Sequence, residues 1–229
     1  MEQLHNGYTL SIAEGSFPLS TDSVALAGFV KLPRQAKVID LGAGCGTLGL
    51  LLCAKDAGCS VTGIELRKED HQAALSNAER NQLSHRLSSI CGDIRDISGL
   101  VKPGSYQVCV SNPPYFTGGL KSQTHAQARH TDTCTLADLF TAADLALQYG
   151  GDFYLVHKPE MLAQICAQAV SHHLEPKKLL WLHHRQDGPV SLILLQCRKG
   201  GKPGLSIEED ALWLPDGQPT EFYKRLYHL

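Results

Sequence analysis

The chain has 229 residues, 43% of them hydrophobic and 19% charged, a balance that excludes a disordered chain and allows a core without disulfide or metal staples. At about 150 residues per domain the length fits one or two domains. Lys and Arg number 21 against 23 Asp and Glu, a net charge of -2, which excludes indiscriminate coating of nucleic acid and leaves only a local basic patch for such a partner.

Residues 1–36 hold one predicted helix, capped by Ser20-Thr21-Asp22 and running through Val24–Val30 until Pro33. Short β-branched or apolar runs then predict strands at Lys37–Leu41, Ser60–Ile64, Leu87–Cys91, Gln107–Ser111, Asp152–His157, Leu179–His183 and Leu192–Cys197. Helical periodicity falls between the earlier ones, at Thr47–Ala57, Lys68–Asn81, Leu136–Gln148 and Glu160–His172. Alternation of strand and helix predicts an α/β fold with a seven-stranded, mostly parallel sheet and helices on both faces. The last two strands are joined only by His184–Pro189, with Asp187-Gly188-Pro189 inside it, so they predict an antiparallel C-terminal hairpin. The domain plan is a single unit with a helical extension at 1–36, a core at 37–198 and a tail at 199–229 packing on that core. Residues 116–133 lack periodicity and carry Lys121, His125, Arg129 and His130, the pattern of a lid or binding loop.

None of the eight cysteines lies within five positions of another, so the C-x-x-C pairs of zinc and dithiol sites are missing and no metal is expected. Most sit in apolar runs such as Val108-Cys109-Val110, as small hydrophobes of a reducing compartment. The first residues lack the basic and apolar regions of a signal peptide, and no apolar run approaches a membrane span. A cytoplasmic protein is expected.

Two segments carry chemistry. The first predicted strand runs into Asp40-Leu41-Gly42-Ala43-Gly44-Cys45-Gly46 and then a helix. Glycines at that place let the backbone turn tightly and let a ligand come close, at the end of the sheet where nucleotides bind. The spacing is G-x-G-x-G rather than the G-x-G-x-x-G of pyrophosphate sites. Glu65 ends the second strand and Asp93 follows the third; they suit ribose hydroxyls and an adenine amine. An adenosine without pyrophosphate, such as S-adenosylmethionine, fits this set, against the alternatives of an NAD or FAD site or a turn with no ligand. The fourth strand runs into Asn112-Pro113-Pro114-Tyr115. Two prolines make a stiff arch, the Asn112 side-chain oxygen and the Pro113 carbonyl are neighbouring acceptors, and Tyr115 is placed to stack on a flat substrate. Two adjacent acceptors match the two hydrogens of a planar NH2 group. A structural turn is the alternative.

With both segments the chain resembles class I S-adenosylmethionine-dependent methyltransferases acting on amino nitrogen, with a Rossmann-like sheet. It is further similar to the bacterial tRNA1(Val) adenine-37 N6-methyltransferase family through Thr21-Asp22-Ser23-Val24-Ala25-Leu26, Ala128-Arg129-His130, Val156-His157-Lys158-Pro159-Glu160 and Arg198-Lys199-Gly200-Gly201-Lys202-Pro203-Gly204. The resemblance implies a cofactor site of Asp40, Gly42, Ala43, Gly44, Gly46, Glu65, Leu66, Asp93 and Ile94, joined by Asn112 and by Thr21 and Asp22 at the methionine end. It implies that Asn112, Pro113, Pro114 and Tyr115 receive a target base flipped from its stack. It also implies a tRNA partner, met by Arg129, whose alternative role is to order its own loop, and by Lys199 and Lys202 of the basic stretch that follows. Pro219 stands where such tails usually carry an aromatic residue.

From Ser171 to Lys202, six Lys and Arg stand against Glu175 and Asp187, a local basic surface for phosphate, with an ordinary solvated surface as the alternative. Three further readings stay open at this point. One is methylation of a protein glutamine amide, whose NH2 is equally planar, although the N-terminal piece is shorter than the helical domain of such enzymes. The second is DNA or ribosomal RNA adenine as the substrate. The third is a non-catalytic subunit with a cofactor fold.

Overall fold

The computed structural model describes residues 2–4, 7–114 and 134–227. Among these residues seven α-helices are placed: α1 (Thr21–Phe29), α2 (Thr47–Lys55), α3 (Lys68–Arg80), α4 (Ile97–Leu100), α5 (Leu136–Ala146), α6 (Leu162–Ser171) and α7 (Glu221–Tyr227). The two-residue strands β1 (Glu2–Gln3) and β2 (Thr9–Leu10) pair with each other. The large sheet contains β3 (Lys37–Leu41), β4 (Ser60–Glu65), β5 (Leu87–Cys91), β6 (Tyr106–Ser111), β7 (Leu147–His157), β8 (Leu174–Arg185), β9 (Val190–Lys199) and β10 (Ser206–Trp213).

The sheet order is β10-β8-β9-β7-β6-β3-β4-β5. β9 is antiparallel to both its neighbours, and the remaining pairs are parallel. The hairpin is therefore where the sequence places it, with β9 inserted between β7 and β8. The sheet has eight strands rather than the predicted seven. The extra one, β10, reads Ser-Ile-Glu-Glu-Asp-Ala-Leu-Trp; its first four residues are exposed and only Ala211 and Leu212 are buried. Charge on an outer strand discourages pairing with another chain, and the same charge hides the strand from a hydrophobic pattern. β7 begins at Leu147, five residues before the predicted start, directly after α5.

Alternate residues of the central strands feed two cores. Val38, Val108 and Val110 pack with Leu26, Leu50 and Leu52 on one face, while Ile39, Leu41 and Cys109 pack with Phe140, Ala143 and Ile165 on the other. A parallel strand buried on both sides needs such an unbroken apolar run. Five of the eight cysteines are buried among these side chains and all eight are free thiols. Among the described residues, no helix is long and apolar enough to cross a membrane.

The C-terminal end packs back on the core through Phe222, Tyr223 and Leu226. Gly28 makes room for it: a Cβ there would lie 2.2 Å from Leu226 Cδ2. The carboxyl end of α1 is held from the opposite side by Lys55, whose Nζ donates to the carbonyls of Ala27 (2.8 Å), Gly28 (2.8 Å) and Val30 (2.6 Å). A cation there also suits the negative end of the helix dipole. Lys55→Met keeps the aliphatic stem and removes all three bonds. It is expected to cost about 1–3 kcal/mol of stability, read as a lower denaturant midpoint with an unchanged slope.

Candidate active site

The carboxyl ends of β3, β4 and β6 meet at one edge of the sheet, and each carries a polar group the sequence singles out. After β3 the backbone takes positive φ at Gly42 (77°), Gly44 (54°) and Gly46 (84°). Side chains other than glycine are strained there. A Cβ on Gly42 or Gly44 would meet nothing within 4 Å, so both face open space. The bend is tied down from behind. Gly42 and Ala43 donate to the Ile64 carbonyl, and the buried Asn77 of α3 donates to the Cys45 carbonyl at 2.9 Å.

Glu65, at the end of β4, is 9% exposed. Its Oε2 accepts from the Gly44 N–H and its Oε1 from the Arg67 N–H, both at 2.8 Å. Each carboxylate oxygen keeps a lone-pair direction beyond these bonds. Leu66, next in sequence, is 60% exposed beside it. Asp93 caps a short 3-10 turn at Ile94–Asp96. Its Oδ1 accepts from the Arg95 N–H at 2.9 Å and its Oδ2 from the Arg95 guanidinium at 2.6 Å. Arg95 holds its carboxyl below the usual range.

Asp40 is 1% exposed, and its Oδ1 has no hydrogen-bond partner among the described residues. Burial, with Glu65 nearby as the lesser cause, pushes its carboxyl from an ordinary 3.8 up to about 8. A buried, unpartnered acid beside a second acid favours a cationic ligand. The sign of the effect on stability follows from proton counts. The folded protein keeps a proton that the unfolded chain loses above about pH 4, so this group makes stability fall as pH rises toward 8, then level off. Asp40→Asn is expected to remove that decline. The variant should gain on the native protein by a few kcal/mol between pH 4 and pH 8, measured as the difference of two denaturation series.

From β6, the buried Ser111 Oγ donates to the Leu41 carbonyl at 2.7 Å, joining the start of the proline arch to the end of the glycine strand. Asn112 is half-buried, Pro113 buried and Pro114 exposed. Asn112 Nδ2 donates to Ser23 Oγ of α1 at 3.0 Å. Tyr115 and Arg129 lie outside the described residues. Thr21 and Asp22 occupy the first turn of α1 behind the Ser20 cap, and Thr21 is hydrogen-bonded by Tyr227 of α7.

Sequence reasoning missed the strap that covers the bend. Asn81 of α3 exchanges bonds with the Thr9 backbone and Asn77 with that of Ser11. Farther along, the Ala13 N–H meets Cys45 Sγ at 3.4 Å, and Ser16 Oγ donates to Asp70. Paired Asn side chains at i and i+4 on one helix face were the available signal.

The basic run is more neutral in place than in the sequence. Lys178 pairs with Glu208 (2.8 Å), Arg185 with Asp187 (3.2 Å) and Arg198 with Asp152 (2.9 Å). Lys199, expected at the RNA, pairs with Asp144 at 3.2 Å and donates to the carbonyls of Asp144 and Leu147. Lys177 donates to the Lys202 carbonyl, and the Lys202 side chain is exposed.

Comparison with known proteins places the chain among similar sequences and folds. The family model described as "methyltransferase small domain" matches residues 21–176. A tRNA1(Val) (adenine(37)-N6)-methyltransferase from Photobacterium profundum is 32% identical over 182 residues, covering 78% of this chain and 76% of its own. A protein of the same name from Photorhabdus laumondii is 28% identical over 216 residues, covering 91% and 86%. Among solved structures, a predicted O-methyltransferase from Agrobacterium tumefaciens superposes with a TM-score of 0.76 at 21% identity, over 91% of this chain and 96% of that one. Geranyl diphosphate C-methyltransferase from Streptomyces coelicolor, in complex with S-adenosyl-L-homocysteine, gives 0.55 at 13% identity over 77% and 74%. These two likenesses speak for the fold.

Proposed function

The chain belongs to the methyltransferase small domain family, and from that premise we propose that it methylates the N6 amine of an adenine in tRNA, adenine 37 of tRNA1(Val) as in its named relatives. The observation that carries the reading is the Ser111–Leu41 bond, which fastens the Asn112-Pro113-Pro114 arch beside the glycine bend.

The cofactor of this reading is S-adenosylmethionine, and the residues present fit it. Gly42 and Gly44 leave open a cradle that a Cβ would narrow, Glu65 has acceptor capacity for ribose hydroxyls, and Asp40 has a buried orphan oxygen for a cationic group. Asp93 and Ile94 would hold its adenine, Leu66 would flank Glu65 at the ribose, and Thr21 and Asp22 would hold its methionine end. When bound, S-adenosylmethionine would supply an electrophilic methyl group, the N–CH3 bond forming as the CH3–S bond breaks and leaves its electron pair on the sulfur of a neutral thioether.

The rest is the work of this chain's own residues. Asn112 Oδ1 and the Pro113 carbonyl accept the two amine hydrogens, which fixes the NH2 plane and directs its lone pair outward. Positioning of this kind removes much of the barrier to a two-body reaction. Neither acceptor takes the proton; the methylated nitrogen is a strong acid and releases one to water. Base identity is read at this mouth, while phosphate contacts from Arg129 and Lys202, and from Lys199 once it leaves Asp144, set the register of the RNA.

The test is to incubate the protein with methyl-labelled S-adenosylmethionine and, separately, tRNA lacking the modification, ribosomal RNA, DNA and cell protein. Label is expected in tRNA, recovered after digestion as N6-methyladenosine and mapped to the anticodon-adjacent adenine. Label in protein as N5-methylglutamine, or in another nucleoside, overturns the proposal.

A further inference from the structure

An asparagine amide has a donor end and an acceptor end of nearly the same shape, and only one of them can hold a target amine. Pro113 restricts the backbone of Asn112 but leaves the rotation of its amide open, since that torsion is broad and roughly two-fold. Something else must decide which end faces the substrate. The geometry points to Ser23 as the positioning residue. Its hydroxyl, 89 positions away in sequence, accepts from Asn112 Nδ2 at 3.0 Å, with Ser20 Oγ 3.4 Å away to take its own proton, and so leaves Oδ1 as the free end of the amide.

Ser23 is suited to this. It is 7% exposed in the first turn of α1, so water competes poorly for the amide. Its own backbone N–H is capped by Ser20 Oγ at 3.3 Å, and the two hydroxyls lie 3.4 Å apart. The Ser20 cap fixes the turn that presents Ser23. Helix α1 is in turn held by Lys55 at one end and by Tyr227 on Thr21 at the other. An acceptor bonded to the Nδ2 hydrogen also polarises the amide and strengthens Oδ1 as an acceptor.

This inference rests on the reading that Asn112 holds the target amine, and its test separates the two. Methyl transfer is measured under single-turnover conditions for Ser23→Ala, Asn112→Ala and the double variant, with tRNA binding, S-adenosylhomocysteine binding and melting temperature for each. Ser23→Ala is expected to lower the transfer rate about 10- to 100-fold, the scale of a misplaced reacting group. Cofactor affinity, RNA affinity and melting temperature should stay close to native. In the Asn112→Ala background the same change is expected to cost less than about twofold, because the two act as a unit. Ser23→Thr, which keeps the hydroxyl, should restore most of the rate. A native rate in Ser23→Ala, or an equal loss with and without Asn112, overturns the role of Ser23. A native rate in Asn112→Ala overturns the underlying reading instead.

Discussion

Asn112→Ala is expected to lower methyl transfer by about 10²- to 10³-fold, the scale on which loss of one preorganised hydrogen-bonding group acts, while the dissociation constant for S-adenosylmethionine changes by less than about threefold. The two effects are expected to separate because the proposed cofactor set and the proposed amine grip are built on different strands. The bend after β3 and Glu65 at the end of β4 belong to the first. The arch after β6 belongs to the second, joined to it at the backbone by Ser111 rather than by Asn112. Alanine at 112 leaves Ser111, Pro113 and Pro114 unchanged, so the arch stays where it is and loses one acceptor. Titration calorimetry and single-turnover assays on one preparation decide the matter. A parallel loss of binding and turnover would mean that Asn112 serves the cofactor rather than the amine.

Glu65→Ala is expected to show the opposite division: cofactor affinity about 10- to 100-fold weaker, with most of the transfer rate recovered at saturating cofactor. Two losses add. The acceptors for the ribose disappear, each hydrogen bond contributing about 0.5–1.5 kcal/mol net. The Gly44 N–H also loses its 2.8 Å tether, so the bend is no longer pinned in its open form. Glu65→Gln keeps one acceptor and should fall between alanine and native. Asp40 gives an internal control, since Glu65 is one of the two causes of its raised carboxyl. Removing that charge should shift the Asp40 transition to lower pH. An unchanged dissociation constant in Glu65→Ala would take this residue out of the cofactor site.

Much of this was legible in the sequence because the responsible residues act locally. Gly42, Gly44 and Gly46 have positive φ, and the run of residues around them says so without knowledge of their neighbours. The apolar runs of β3, β4 and β6 and the break at Pro113 are equally local. What escaped was set by partners far along the chain. Ser23 reads as part of a capping cluster until Asn112 is beside it. Lys199 counts as a basic charge until Asp144 and two carbonyls take its ammonium group. Asp93 suits an adenine amine on paper and is found bonded to Arg95. β10 was lost for another reason: an outer strand facing water on much of its length has no apolar alternation to detect.

Everything proposed for this site depends on a planar NH2 being held between Asn112 Oδ1 and the Pro113 carbonyl, beside the glycine bend. A crystal structure with S-adenosylhomocysteine and an unmodified tRNA anticodon stem-loop measures this directly. A flipped adenine is expected in the mouth, its N6 within about 3 Å of both oxygens and Asn112 Nδ2 still on Ser23. An adenine amine bonded elsewhere, with Asn112 Oδ1 turned away from it, would rule out this grip.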